Sequence, residues 1–401
     1  RHKKLLLIIS IVSNLGLLFV FKYFNFFIDS FYNLLNEIGL QINLRTINII
    51  LPVGISFYTF QTLSYTIDVY KGKIKATKDW VLFASYVSFF PQLVAGPIER
   101  ATRILPQLSS VRVFDWINAK EGLRKILIGF FKKVVIADSL APMVDFTFNN
   151  YHDLSSLSLL LGALFFSIQI YCDFSGYSDI AIGVSKLFGI NLIENFNYPY
   201  FSKNIGEFWK RWHISLTSWF RDYIYIPLGG SKVSLLISLR NVFIIFIISG
   251  LWHGANWTFV FWGIAHVLIY VPYFLMKKKI FYNKSTFSYF LKDIFGIITT
   301  FSVVTITWIF FRSDTILDAW NYIFRLFSIT SDQNLILNPA NNLNSGYYII
   351  YILFMFLIDY YLSLEIKENK WVERVFNSLL ILLILFFMQI NISESFIYFQ
   401  F

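Results

Sequence analysis

Apolar runs of membrane-spanning length alternate with short basic clusters along this chain. Runs near 5–27, 47–67, 155–174, 256–276, 293–311, 346–362 and 374–393 could each cross hydrocarbon as a helix, which takes about 17–25 residues. A shorter run at 80–95 and a Lys/Arg-bearing one at 122–146 are ambiguous. The run 233–251 carries Arg240 near its start, where the side chain can reach the interface. This pattern predicts an all-α polytopic helical bundle in a lipid bilayer. No internal repeat, low-complexity tract or linker divides it, so residues 1–401 read as one membrane domain.

The basic clusters give the orientation. "KKLL" after His2, "KGKIKATK" (Lys71 to Lys78), "MKKK" (Met276 to Lys279) and "EIKENK" (Glu365 to Lys370) read as cytoplasmic anchors. Two spans, 293–311 and 346–362, separate the last two clusters, which agrees with both lying on one side. The loop "SDQNLILNPANNLNSG" (Ser331 to Gly346) has no Lys or Arg and is expected outside. The last span then runs outward and leaves an aromatic tail, 394–401, on the outer face. The sequence starts at Arg1 with neither Met nor a signal-peptide pattern, which leaves room for upstream spans.

Composition agrees. The chain is 56% hydrophobic and 20% aromatic, with 14% charged residues against about 25% in soluble proteins; mean hydropathy is +0.59. The net charge of +10 sits in the loop clusters, which argues against nucleic acid as a partner. The single cysteine, Cys172, excludes an internal disulfide and a cysteine-based metal cluster.

The segment 176–232 breaks the pattern. Within it, "NIGEFWKRWHISLTSWFRDYIYIPLGGSK" (Asn204 to Lys232) mixes Glu207, Lys210, Arg211, His213, Arg221 and Asp222 with bulky aromatics. It is too polar to face lipid and too aromatic for a solvated loop. Such segments survive at membrane depth only when protein covers them or when they line a wet cavity. A re-entrant, cavity-lining element is therefore expected, ahead of an amphipathic surface helix.

Few residues can carry chemistry. There is no phosphate loop, dinucleotide fingerprint, HExxH or nucleophile elbow, and no two histidines share a helix face, so no metal site is expected. Asp173 and Asp179 read as interhelical polar contacts. His253 lies in "FIISGLWHGANWTFVFWG" (Phe246 to Gly263), where Gly250, Gly254 and Ala255 permit close approach, and Trp252, Asn256 and Trp257 add donors and ring faces. His213 comes with Arg211, Arg221 and Asp222, groups suited to an anionic ligand and to fixing a tautomer. His266, on the apolar segment following His253, is read as a structural ring.

"FWKRWHISLTSWFRDYIYIPLGG" followed by "SGLWHGANWTFVFWG" resembles the membrane-bound O-acyltransferase (MBOAT) family, in the bacterial branch that serves alginate, peptidoglycan and other surface polymers. "PVGISFYTFQTLSYTIDVY", "VAGPIERATRILPQL", "YCDFSGYSDIAIG" and the terminal "FIYFQF" match that branch too. The resemblance implies a bundle with a central tunnel, His253 as the essential catalytic residue and His213 close by. It implies acyl transfer from a cytoplasmic thioester, acetyl-CoA ahead of an acyl-carrier protein, to hydroxyls on the outer side. The expected partners are an exported polysaccharide and a periplasmic acyltransferase- or esterase-like protein, and the expected location is the bacterial inner membrane. Arg211, Arg221, Asp222, Trp252 and Asn256 are the expected substrate contacts, and no bound cofactor is expected. Tyr398, in the tail Phe396 to Phe401, is expected to reach the outer mouth and act as a first acyl acceptor. The competing reading is a transporter or flippase with a histidine proton relay. That reading expects an internal repeat, and none is found.

Overall fold

The computed structural model describes residues 2–40, 46–47, 50–276, 286–328, 346–364 and 370–387. Every element among them is helical. Five helices are long and apolar enough to cross a membrane: His2–Glu37, Ser156–Leu187, Leu235–His253, Trp257–Met276 and Leu291–Arg312.

The first of these is α1 (His2–Leu18) and α2 (Phe24–Glu37) joined without a break by a π-helical turn, Phe19–Tyr23. The run 47–67 is not one span. Gly54 takes φ 76° and starts α3 at Ile55, so α3 is Ile55–Tyr70. Its buried Ser56, Thr59, Gln61, Ser64 and Asp68 show a helix covered by protein, and it packs antiparallel on α1 through Ser10–Thr66 and Thr62–Asn14. The ambiguous run 80–95 becomes two short helices, α4 (Trp80–Val87) and α5 (Phe90–Leu93), followed by α6 (Ala101–Ser109).

The other ambiguous run, 122–146, is a continuous helix. It comprises α7 (Trp116–Phe130), a π turn (Phe131–Ala137) and α8 (Asp138–Asn149). It lies against α9 (Ser156–Leu187), the most buried of the membrane-length helices. A Cβ on Gly122 would meet the Gly183 carbonyl at 2.7 Å, and one on Gly129 the Gly176 carbonyl at 2.5 Å. Small residues facing each other at this spacing bring two membrane helices to backbone contact. Because α9 runs to Leu187, residues 176–187 continue a span and do not belong to the irregular segment expected from 176 onward. Asp173 and Asp179 do make interhelical contacts, to Lys133 at 2.6 Å and to Lys132 at 2.9 Å.

The irregular segment consists of short pieces, α10 (Ile205–Arg211) and α11 (Ile214–Phe220), with a π turn at Arg221–Tyr225. It is wedged inside the protein, with Ile205, Phe208, Trp212, His213, Leu216, Trp219 and Phe220 all buried. Next come α12 (Leu235–His253), α13 (Trp257–Met276), α14 (Thr286–Arg312), the amphipathic α15 (Ile316–Phe327), α16 (Gly346–Ser363) and α17 (Lys370–Phe387). The loop 331–345 and the tail with Tyr398 lie outside the described residues.

Candidate active site

His253 is the last residue of α12, and the fold holds that helix end tightly. A Cβ on Gly250 would meet the Phe259 carbonyl at 2.2 Å, and one on Gly263 the Phe246 carbonyl at 2.4 Å. Glycine on both helices thus lets α12 and α13 touch. The chain leaves α12 in extended conformation at Gly254, so no further helical turn can satisfy the final carbonyls. The N-terminal helix satisfies them. Lys22 Nζ donates to the carbonyls of Trp252 (2.9 Å) and His253 (3.0 Å), and Tyr23 Oη donates to that of Leu251 (2.8 Å). Both donors lie on the π turn of α1–α2, a distortion often found at functional sites. An ammonium at a helix C-terminus also meets the negative end of the helix dipole.

The His253 ring is buried in an aromatic box. Trp252, Trp262 and Phe311 meet it edge-on, with centroids at 5.0, 5.2 and 5.1 Å. A cleft of about 220 Å³ opens beside it, lined by Lys22, residues 51–57, Val94, Trp252 and His253.

His213 also packs on Trp252, with ring centroids 5.6 Å apart. Its backbone takes φ 44° and ψ 54°, the left-handed region, between α10 and α11. A non-glycine residue there costs about 1–2 kcal/mol. Asn195 fixes the ring. Its Oδ1 is 3.1 Å from His213 Nδ1 and also accepts from Ser215 Oγ at 2.8 Å, while its Nδ2 donates to Ser178 Oγ. With the amide oriented this way, Nδ1 carries the proton and donates, which leaves Nε2 as an acceptor. Nε2 is buried and has no hydrogen-bond partner among the described residues.

The other expected contacts separate. Trp252 packs on both histidines and against Phe57 and Phe60. Arg211 pairs with Glu207 at 2.5 Å on α10. Asp222 is shared by Arg221 (2.8 Å) and Arg100 (3.0 Å), at the end of the bundle holding Lys71 and Lys73. Asn256 caps the start of α13, accepting from Thr258 N and donating to the Asp314 carbonyl, so its polar atoms serve the turn. His266 is 3.1 Å from Thr307 Oγ1 and packs on Trp209 and Trp262, as a structural ring would. The histidine motifs gave no signal for Lys22, Tyr23, Asn195 or Arg100. A lysine 18 residues beyond Lys4 in an otherwise apolar run was the one available cue.

Comparison with known proteins agrees with this arrangement. The family model described as MBOAT, membrane-bound O-acyltransferase family, matches residues 77–312, more than half of the chain. A probable alginate O-acetylase of Pseudomonas aeruginosa is 41% identical over 335 residues, covering 84% of this chain and 62% of that protein. A peptidoglycan O-acetyltransferase of Helicobacter pylori is 38% identical over 341 residues, covering 78% and 62%. A teichoic acid D-alanyltransferase of Bacillus subtilis is 30% identical over 244 residues, covering 58% and 61%. The chain thus spans about three-fifths of the length of these relatives. With spanning helices around two buried histidines and a match from residue 77 to residue 312, the chain belongs to the membrane-bound O-acyltransferase family.

Proposed function

We propose that this protein moves an acetyl group from a cytoplasmic thioester to hydroxyls of an exported cell-surface polysaccharide, with His253 as the general base. The observation that carries the reading is His253 itself: its ring boxed by aromatics, its helix end held by Lys22 and Tyr23, and the residue lining a cleft beside the first turn of α3. A neutral imidazole there can take the proton of an attacking hydroxyl as its oxygen bonds to the thioester carbonyl. When the tetrahedral intermediate collapses, the C–S bond breaks and the imidazolium returns the proton to the leaving thiolate. The indole and phenyl walls keep out water that would hydrolyse the thioester. His213, with Nε2 as acceptor, is set to receive a hydrogen bond from an amide N–H of the donor.

The donor is acetyl-CoA. Support comes from the cations at the inner end: Lys71, Lys73 and Arg100 lie 6.0, 5.5 and 5.6 Å from the Tyr223 ring, and Arg221 is mostly exposed beside them. Asp68 and Asp222 leave that group with excess positive charge for phosphates. Acetyl transfer only from a carrier-protein thioester would replace this donor. The proposed location is the bacterial inner membrane, with a periplasmic acyltransferase- or esterase-like partner receiving or directing the group. Tyr398 is the proposed first acceptor, because an ester of a phenol, pKa about 10, stays close in reactivity to a thioester. Cells carrying Tyr398→Phe are expected to lose most polymer acetylation; parental levels would make the tail an anchor only. His253→Ala, inserted at parental level, is expected to lower acetylation by about 10²–10⁴-fold, and near-normal acetylation in that variant removes His253 from the mechanism.

A further inference from the structure

The cleft beside His253 has a charge that the hydroxyl-activating step does not use. Lys22 is its one cation, and none of its lining residues is acidic. No carboxylate among the described residues pairs with Lys22. An ammonium has three donors, and two of them go to the Trp252 and His253 carbonyls, leaving one N–H in a group that lines the cleft. Ser56 lines the same cleft. It is 8% exposed, and its hydroxyl makes no hydrogen bond among the described residues. It belongs to the first turn of α3, a 16-residue helix whose N-cap, Gly54, offers no side-chain cap. The positive end of that helix therefore opens at the cleft. A half-buried cation, the hydroxyl of a buried serine and a helix amino end thus meet at a cleft that His253 also lines.

The geometry points to an oxyanion pocket formed by Lys22 and Ser56, which holds the thioester carbonyl oxygen as it becomes negative. This rests on the acyl-transfer reading above. The acceptor hydroxyl gives its proton to His253 and its oxygen bonds to the carbonyl carbon. The C=O π pair moves onto oxygen, where the Lys22 N–H and the Ser56 O–H donate to it. On collapse the C=O re-forms, the C–S bond breaks, and the thiolate takes the proton from His253. Because the negative oxygen exists only in the intermediate and its flanking transition states, these donors act on kcat and leave donor KM nearly unchanged. Lys22 would thus combine two tasks, holding the end of α12 and stabilising the charge that His253 helps to create.

The test uses the full chain in detergent or vesicles with acetyl-CoA and a soluble hydroxyl acceptor. Lys22→Met and Ser56→Ala are each expected to lower kcat by about 10²-fold or more, with donor KM within about twofold. Tyr23→Phe removes one helix-end hydrogen bond while keeping the cation and the hydroxyl, and is expected to stay within about fivefold of the parent. Ser56→Ala leaves α12 untouched, so it decides alone if Lys22→Met does not fold. Lys22→Met and Ser56→Ala proteins no slower than Tyr23→Phe overturn the assignment. His253→Ala run alongside separates the failures. Activity in that variant removes the acyl-transfer reading, whereas an inactive His253→Ala beside fully active Lys22→Met and Ser56→Ala removes the oxyanion pocket alone.

Discussion

Lys132 and Lys133, on the π turn between α7 and α8, are closed by carboxylates from neighbouring helices, whereas Lys22, on the π turn between α1 and α2, is held by backbone carbonyls among the described residues. Lys132 meets Asp179 at 2.9 Å and Asp359 at 3.9 Å, and the Tyr171 hydroxyl donates to Asp359 at 2.6 Å. Lys133 meets Asp138 and Asp173, both at 2.6 Å, and nearby Lys125 meets Glu194 at 2.7 Å. The same backbone device thus serves two ends. At 131–137 it turns charge inward to join α7 and α8 to α9 and α16, and the charge is spent on structure. At 19–23 it places a cation in a cleft beside His253, where the charge stays available to a reacting group. Opposite charges at hand make a fastener; the proposed site holds a cation that no carboxylate among the described residues pairs with.

Lys132→Met tests the first half of this contrast and carries the largest expected effect. Removing it leaves Asp359 with the Tyr171 hydroxyl and no cation within 4 Å among the described residues, and leaves Asp179 with Lys125 at 3.5 Å. Breaking a buried pair in this way costs about 3–5 kcal/mol. The expected outcome is a large drop in thermal midpoint in detergent, with kcat per folded molecule near that of the parent. An unchanged midpoint would mean that this belt is not a fastener.

His213→Asn sharpens the second half. Asparagine tolerates the left-handed backbone better than most side chains, so the fold should persist while the imidazole is lost. Activity should fall about 10- to 100-fold, a range suited to loss of one hydrogen bond to the reacting assembly, with donor KM raised as well. Parental kcat and KM would assign His213 to packing around Trp252.

Asn256→Ala should do least. Its side chain caps α13 and ties it to Asp314, and loss of such a cap costs about 1 kcal/mol. A thermal midpoint lower by a few degrees, with acceptor KM unchanged, is the expected pair of results. A raised acceptor KM would return Asn256 to the substrate contacts.

Much of this was legible in the sequence, and the rest for physical reasons was not. Hydropathy located α12, α13 and the C-terminal end of α14 to within a few residues, because those helices are only partly covered by protein. It misplaced α3 and cut α9 short at about 174, because helices covered by protein can carry Ser64, Asp68, Ser175, Ser178 and Asp179 at depth without an apolar surface. The two histidines stood out through their neighbours in the chain. Lys22 did not, because its partners are carbonyls about 230 positions away, and no side-chain pattern records where a backbone oxygen ends. Arg211, Arg221 and Asp222 looked like a group with His213 along the chain. Yet Arg211 pairs on α10, and Arg221 and Asp222 follow the π turn to the end of the bundle that holds Lys71 and Lys73.

The central claim is that His253 drives acetyl transfer from one face of the membrane to the other. The most direct measurement places purified parent and His253→Ala protein in sealed vesicles of known orientation. Labelled acetyl-CoA is supplied on the face bearing Lys71 and Lys73, and a hydroxyl acceptor on the opposite face. Labelled ester is expected on the opposite face with the parent, none above background with His253→Ala, and equal insertion of both. Equal labelling by the two proteins would contradict the central claim.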